Sequence, residues 1–216
     1  MTKTKKIDRA RGGKADPVRD DADIGAIYRD LCRNGKQKWA EVFIIGCNCA
    51  LRASDLFSLK REHIIREDVE GRTIGRIRDS VLREKKTSKR KSLIINHAGM
   101  EAFDRMCNLW PDDEYLAQTE RNQVGTALNP VTITYFNRCL RESRDRLGLQ
   151  YRLSTHSMRK TFGYHAFRHA KKKDEVLIVL QRLFQHSSPL VTMEYIGITQ
   201  ERVDDLYIST MIGLDI

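Results

Sequence analysis

The chain has 216 residues, of which 40% are hydrophobic and 31% are charged, and its formal net charge at pH 7 is +10. This length suits one domain with a full hydrophobic core, and no apolar run approaches the roughly 18 residues of a membrane span. The charges near the N-terminus precede no apolar segment, which argues against a secretory signal. We therefore expect a soluble, cytoplasmic protein without a membrane partner.

The excess of positive charge indicates a polyanionic partner, because 39 Lys and Arg residues face 29 Asp and Glu residues. The basic residues cluster at 3–14, 83–91 and 168–173. The five Cys residues are odd in number and have no zinc-ribbon spacing, so reduced thiols are expected rather than disulfides.

The polar residues 1–19 are predicted to form a flexible basic arm, and one packed domain is predicted from residue 20 to 216. Apolar residues at helical spacing predict a first helix that ends at Asn34-Gly35, and a strongly apolar second helix from 39 to 50. Ser54 is predicted to cap a short third helix.

Two β-like segments follow, at 72–82 and 92–96, and the polar run 83–91 joins them as a hairpin-like connection. The remaining chain is predicted to be helical apart from a loop-rich stretch. The predicted helices cover 99–109, 131–147, 155–170 with a capping Ser or Thr, 174–184 with Asp174 as its cap, and a short helix that starts at Ser187-Ser188-Pro189 and carries Tyr195. The fold class is therefore mainly α with a small antiparallel β-sheet (α+β).

One group of residues near the C-terminus suits a phosphodiester. His156 and Arg159 share one face of a helix start, where backbone amides favour an anion. His186 and Tyr195 lie on separate segments that could close over that face. Together they supply a cation, an imidazole for proton transfer and a phenol as a nucleophile.

Upstream residues admit two interpretations each. Arg52 lies just past a buried helix, and Asp55 is placed to orient it. The two residues form either part of a functional site or a simple ion pair that caps the helix. Lys86 lies at the tip of the predicted hairpin. Its ammonium either reaches into the site and protonates a leaving oxygen, or it belongs to a solvated run of charges that only contacts phosphates. The second interpretation suits its neighbours Lys85, Lys89, Arg90 and Lys91.

A metal site is not expected from the sequence. His165 and His169 are spaced by four residues on one predicted helix, which is a spacing that could bind a metal. However, the Glu of a His-Glu-x-x-His motif is missing and no third ligand is evident from the sequence.

The ordered set resembles the tyrosine recombinase (phage integrase) family. The resemblance rests on the segment 50–56 around Arg52, on Lys86-Thr87, on His156-x-x-Arg159, and on His186 and Tyr195. It extends from about residue 20 to the C-terminus. It implies a mostly helical catalytic domain with a small sheet, which exchanges DNA strands between two duplexes without metal, nucleotide or other cofactor.

By this resemblance, Tyr195 would attack the scissile phosphate and form a 3′-phosphotyrosyl link. Arg52 and Arg159 would hold the non-bridging oxygens, and Asp55 would brace Arg52. Lys86 would protonate the departing 5′-oxygen, His156 would transfer a proton to or from the phenol, and His186 would hydrogen-bond the phosphate.

The same resemblance implies double-stranded DNA as partner, a homotetramer on paired sites, and accessory DNA-bending proteins, in the nucleoid of a bacterial, archaeal or phage-infected cell. The basic insert Lys171-Lys172-Lys173 is expected near DNA. The tail from about 200 to 216 would pack either on a neighbouring protomer or in cis. Two departures stand out: Gln185 replaces the glycine of the family's Leu-Gly-His, and only a short basic arm precedes the catalytic domain.

Two rival functions remain open at this stage. A type IB topoisomerase or a telomere resolvase would use the same residues on one duplex. A non-catalytic DNA-binding module would keep the fold and use it only to bind DNA.

Overall fold

The computed structural model describes residues 14–78, 93–119 and 129–198. Within these ranges the chain is mainly helical with one small antiparallel sheet, so the predicted fold class is confirmed. The elements are α1 (Asp21–Arg33), α2 (Gln37–Cys47), α3 (Ala53–Ser58), a short 3-10 turn (Arg61–His63), β1 (Ile64–Val69), β2 (Arg72–Ile77), β3 (Ile94–Ile95), α4 (His97–Leu109), α5 (Ile133–Leu147), α6 (Thr155–Arg168), α7 (Lys173–Phe184) and α8 (Pro189–Ile196).

The sheet has the strand order β1-β2-β3, and its first strand was missed by the sequence analysis. β1 and β2 pair antiparallel from Ile64 opposite Ile77 to Val69 opposite Arg72. Their turn has positive φ at both Glu70 and Gly71, as a tight hairpin turn of right-handed twist requires. The charged run inside β1 had hidden the strand pattern.

The predicted hairpin connection at 83–91 lies outside the described residues. The prediction for Lys86 and those for Lys85, Lys89, Arg90 and Lys91 therefore stay predictions. The tail from 200 to 216 also lies outside the described part of the chain.

Two buried apolar clusters organise the described residues, and α6 contributes to both. The larger cluster is built mainly from α1, α2, α4 and α5, and it includes Met158 of α6. The smaller cluster packs Tyr164 and Phe167 of α6 against Phe184 of α7 and Ile196 of α8. The helix that carries His156 and Arg159 is thus held on both sides.

Glycines set the closest approaches of α6 to its neighbours. A Cβ on Gly163 would lie 2.6 Å from Cγ2 of Ile196 and 2.8 Å from Cε2 of Phe184. Since such distances are far below van der Waals contact, only glycine allows α7 and α8 to pack this close to α6. Gly163 therefore determines how near the helix of Tyr195 lies to the helix of Arg159.

Residues 14–19, which we call the N-terminal strap, pack against the domain. Pro17 and Val18 are buried, and the amide of Val18 donates to Oγ1 of Thr161 at 2.8 Å. Arg19 donates to the carbonyl of Gly197 at 2.8 Å. The last six residues of the predicted arm therefore pack against the domain, because Pro17 and Val18 are apolar and are buried beside α6.

Two predicted helix caps are wrong. Arg52, not Ser54, is the N-cap of α3, and Ser54 lies inside the helix, where its hydroxyl donates to Asp55. Lys172, not Asp174, is the N-cap of α7, which begins one residue earlier than predicted. Ser188 caps α8 as its position suggested, since its side chain accepts from the amide of Val191. No described helix is long and apolar enough to cross a membrane.

Candidate functional site

Arg159 is a buried cation on the second turn of α6. Its side chain is only 6% exposed, and its Cζ lies 4.7 Å from the ring centre of Phe184. Among the described residues it has no hydrogen-bond or ion-pair partner. Burial lowers the pKa of this guanidinium, and nearby Arg52 lowers it further. A buried guanidinium without a protein anion is suited to an external one.

Arg52 lies at the mouth of the same region, where its Nη2 donates to Oε1 of Gln185 at 3.4 Å. Gln185 ends α7 with a φ of 61°, the left-handed conformation that favours glycine. This is the position where the family has glycine. The backbone shape of a glycine cap is therefore kept, while the added side chain contacts the arginine.

Asp55 does not brace Arg52 in the way that the resemblance implied. No ion pair within 4.0 Å joins the two in the part of the chain that the structure describes. Arg52 lies before α3 with extended backbone, and its guanidinium turns towards Gln185. Burial lowers the pKa of Arg159, and the charge of Asp55 partly opposes that fall. The carboxylate therefore acts electrostatically on the buried arginine.

His186 is held in one orientation by α8. Its Nδ1 lies 3.1 Å from Oγ1 of Thr192, and that hydroxyl itself donates to the carbonyl of Ser188. Because the hydroxyl proton is used, Nδ1 must donate, which leaves Nε2 free. Burial lowers the pKa of His186, and Arg159 and Arg52 lower it further, which favours the neutral ring.

Tyr195 packs directly on these residues. Its ring lies 4.8 Å from the ring of His186 and 5.3 Å from that of Phe184, measured between centres. Burial raises the pKa of the phenol, while the charges of Arg159 and Arg52 oppose that rise. Its hydroxyl has no hydrogen-bond partner among the described residues. The phenol is thus protonated at neutral pH and requires a base to act as a nucleophile.

Of the predicted site residues, the structure brings together Arg52, Arg159, His186 and Tyr195. His156 lies one turn before Arg159 on α6 and is exposed. The three lysines of the predicted basic insert are exposed. Lys172 pairs with Glu175 at 2.8 Å, and Lys173 lies over the ring of Phe167. These surface contacts are weak and leave the lysines accessible.

Lys160 was not recognised from the sequence. It is 6% exposed, its Nζ donates to the carbonyl of Ala15 at 2.7 Å, and it lies 4.9 Å from the ring centre of Tyr195. Burial lowers its pKa. A lysine beside an arginine on a basic helix gives no sequence signal of burial, so only the fold of the strap places this ammonium against the phenol ring.

The structure places a possible third ligand, which the sequence did not reveal, beside His165 and His169. Asp21, at the start of α1, brings its carboxylate to both imidazoles, and one ligand atom from each residue lies within 4.8 Å of the others. The aspartate is far away in the chain and was not evident as a ligand. The five cysteines form no disulfide, and burial raises the pKa of Cys47.

The sequence of this chain is similar to that of a known protein over most of its length. A "Probable integrase/recombinase YoeC" from Bacillus subtilis (strain 168) is 32% identical over 192 residues, which cover 88% of this chain and 94% of that protein.

Among solved structures, XerA recombinase matches with a TM-score of 0.60 and 17% identity over 91% of this chain and 66% of that one. The Tn1549 transposon integrase in complex with circular intermediate DNA matches with a TM-score of 0.54 and 16% identity over 90% and 66%, respectively. The chain thus spans just under two thirds of these two structures, and at such identities they support the fold alone.

The family model described as "Phage integrase family" matches residues 23–202, which contain every element from α2 to α8. This match covers far more than half of the chain, and it agrees with the relative of 32% identity. The chain therefore belongs to the phage integrase family of tyrosine recombinases.

Proposed function

We propose that this protein is a site-specific DNA recombinase, which cuts and rejoins DNA strands through a covalent bond to Tyr195. The proposal is carried by the proximity of the phenol of Tyr195 to Arg159, which is buried and has no anionic partner among the described residues. An isolated buried cation is costly unless an anion is bound there. A phosphodiester supplies that anion and lies within reach of the nucleophile.

Arg52 and Arg159 are the proposed phosphate clamp. Burial lowers the pKa of Arg159, and the charge of Arg52 lowers it further because the two guanidinium groups repel each other. A phosphate between them relieves this repulsion. Because a pentacovalent phosphorane carries more negative charge than the diester, the clamp stabilises the transition state more than the substrate.

Tyr195 is the proposed nucleophile. Its Oη forms a bond to phosphorus while the bond from phosphorus to the 5′-oxygen breaks, so the number of phosphate ester bonds is conserved. The phenol proton passes to a base, for which His156 is proposed, and the departing 5′-oxygen receives a proton, for which Lys86 is proposed. His186 hydrogen-bonds the phosphate through Nε2 once that nitrogen is protonated. Rejoining reverses these steps and needs no nucleotide.

Double-stranded DNA is the proposed partner, and two duplexes held by four protomers are the proposed assembly. The net charge of +10 and the exposed lysines at 171–173 support a polyanionic ligand. The solved Tn1549 integrase, whose fold this chain shares, is described in complex with DNA.

The proposal is tested with a pool of DNA duplexes that carry a randomised central segment. Each duplex is nicked so that the short strand released by cleavage diffuses away and traps the protein on DNA. Wild-type protein should form complexes that resist detergent, and sequencing of the trapped DNA should give the site. Tyr195→Phe should bind the same duplexes and form no such complex.

The rival functions give different results in this experiment. Trapped complexes formed by Tyr195→Phe would refute the assignment of Tyr195 as nucleophile. If wild-type protein bound the duplexes but formed no trapped complex, the protein would be a non-catalytic DNA-binding module. Arg159→Ala should reduce the rate of trapping by about a hundredfold to a thousandfold, because it removes a transition-state clamp. Relaxation of a supercoiled plasmid without joint products from two duplexes would indicate a topoisomerase.

A further inference from the structure

A cluster of metal-binding groups lies outside the candidate site, where the strap, α1 and the end of α6 meet. His165 and His169 are one turn apart on α6, and their rings stack with centres 5.8 Å apart and planes 18° apart. Oδ1 of Asp21 lies 3.6 Å from Nδ1 of His165. No mechanism described above uses any of the three.

His165 is oriented in the way that metal-bound imidazoles are. Its Nε2 lies 3.0 Å from the carbonyl oxygen of Val18. A carbonyl only accepts, so Nε2 carries the proton, and in the neutral ring Nδ1 presents its lone pair towards the carboxylate of Asp21. A lone pair that faces a carboxylate is unfavourable unless a proton or a metal cation lies between them. A hydrogen bond from the second ring nitrogen to a backbone carbonyl is also the usual support for a metal ligand.

We propose that Asp21, His165 and His169 bind one divalent transition-metal ion of the Zn²⁺, Co²⁺ and Ni²⁺ class. Two imidazoles and one carboxylate are ligands that these ions accept. Tetrahedral zinc places its ligand atoms about 3.3 Å apart. The present spread of up to 4.8 Å closes by side-chain rotation, since the side chain of Asp21 is 80% exposed and that of His169 is exposed.

Such an ion would fasten the first turn of α1 to the last turn of α6. His165 already holds the strap through Val18, so the ion would join three segments that are distant in sequence. This effect is on folding stability, because an ion that binds only the folded chain stabilises it by mass action. The proposal is independent of the recombinase proposal, and the DNA-trapping experiment does not bear on it.

The test uses untagged, metal-free protein, with Co²⁺ followed by visible absorption and Zn²⁺ by calorimetric titration. We compare wild type with His169→Gln and Asp21→Asn, because both side chains are exposed and neither is needed for the core. His97→Gln is the matched control, since His97 and Glu101 form an exposed pair at 3.6 Å, and the described part of the chain places no third ligand beside them.

Wild type and His97→Gln should bind one ion with the same affinity, and their Tm should rise with Zn²⁺. His169→Gln and Asp21→Asn should each weaken binding by at least about tenfold and lose most of the rise in Tm. Wild type that binds no ion would overturn the proposal and leave a direct pair between protonated His165 and Asp21. Loss in His169→Gln alone would indicate a two-histidine chelate, and equal binding by all variants would place the ion on other groups.

Discussion

At the scale of single residues, the candidate site joins residues that the sequence pattern singles out to others that it does not. Arg52, Arg159, His186 and Tyr195 were predictable because their types and order form a known signature. Lys160 was not predictable, because its burial depends on the carbonyl of Ala15, which is 145 residues away in the chain. The contact of Gln185 with Arg52 was not predictable either, because the two residues are 133 positions apart in the chain and meet only in the folded protein.

Gln185 is expected to cost stability through its backbone. Gln185→Gly should raise the free energy of unfolding by roughly 0.5–1 kcal/mol, because glycine adopts a φ of 61° without strain. Gln185→Ala keeps the strain and loses the contact with Arg52, so it should change stability by less than about 0.5 kcal/mol. Urea denaturation measures both. A glycine variant that is less stable than the alanine variant would contradict this explanation.

His186 is expected to make stability depend on pH. Its pKa in the folded protein is lowered by burial, Arg159 and Arg52, whereas an unfolded histidine titrates near ~6.5. Between these two pKa values the unfolded chain binds more protons, so the free energy of unfolding rises with pH. The contribution is complete above the unfolded pKa and is lost as the pH falls through the folded pKa.

His186→Gln should therefore flatten the loss of stability on acidification below about pH 6.5. Urea denaturation of both proteins across this range provides the measurement, and the difference between them isolates His186 from other titrating groups. Parallel pH profiles would show that the imidazole does not titrate differently in the folded state.

At the scale of secondary structure, the helices were predicted closely, and the sheet and the caps less well. The helix positions followed from apolar spacing and from glycine at the end of α5, where Gly148 has a φ of 65°. The strand β1 was missed because it is largely exposed and charged. Its sequence therefore shows little alternation of apolar and polar residues. The cap of α7 could not be predicted, since the side chain of its N-cap residue, Lys172, makes no capping hydrogen bond to the helix backbone.

Gly163 is expected to control the position of α8. Gly163→Ala should lower the free energy of unfolding by about 1–3 kcal/mol, because its methyl group would overlap Ile196 and Phe184. It should also reduce trapping of DNA by Tyr195, since α8 must move away from α6. Urea denaturation and the nicked duplexes provide the two measurements.

The matched control is Gly25→Ala in α1, whose new methyl would meet only the flexible side chain of Arg29. This change should leave trapping intact and stabilise the protein by up to about 1 kcal/mol, as alanine favours a helix. Equal effects of the two substitutions would mean that helix propensity, not packing, explains the result.

At the scale of the whole molecule, the charge distribution should govern affinity for DNA. Each phosphate contact contributes about 0.9 to the slope of log affinity against log salt concentration. Lys171→Gln should therefore reduce that slope by about 0.9 if Lys171 meets one phosphate. Lys172→Gln should reduce affinity less, because Lys172 must first leave Glu175. Fluorescence anisotropy of a labelled duplex in a KCl series provides the measurement, and unchanged slopes for both would exclude this lysine run from the interface.

The N-terminal strap has a mechanical consequence. Ala15 holds Lys160 beside the ring of Tyr195, and Arg19 holds Gly197, the residue that ends the helix of Tyr195. A pull on the chain before residue 14 would load the bond between Ala15 and Lys160 first, then Val18 in the larger cluster, and then the bond between Arg19 and Gly197. The surroundings of Tyr195 are therefore the first part of the domain that such tension would disturb, through Lys160.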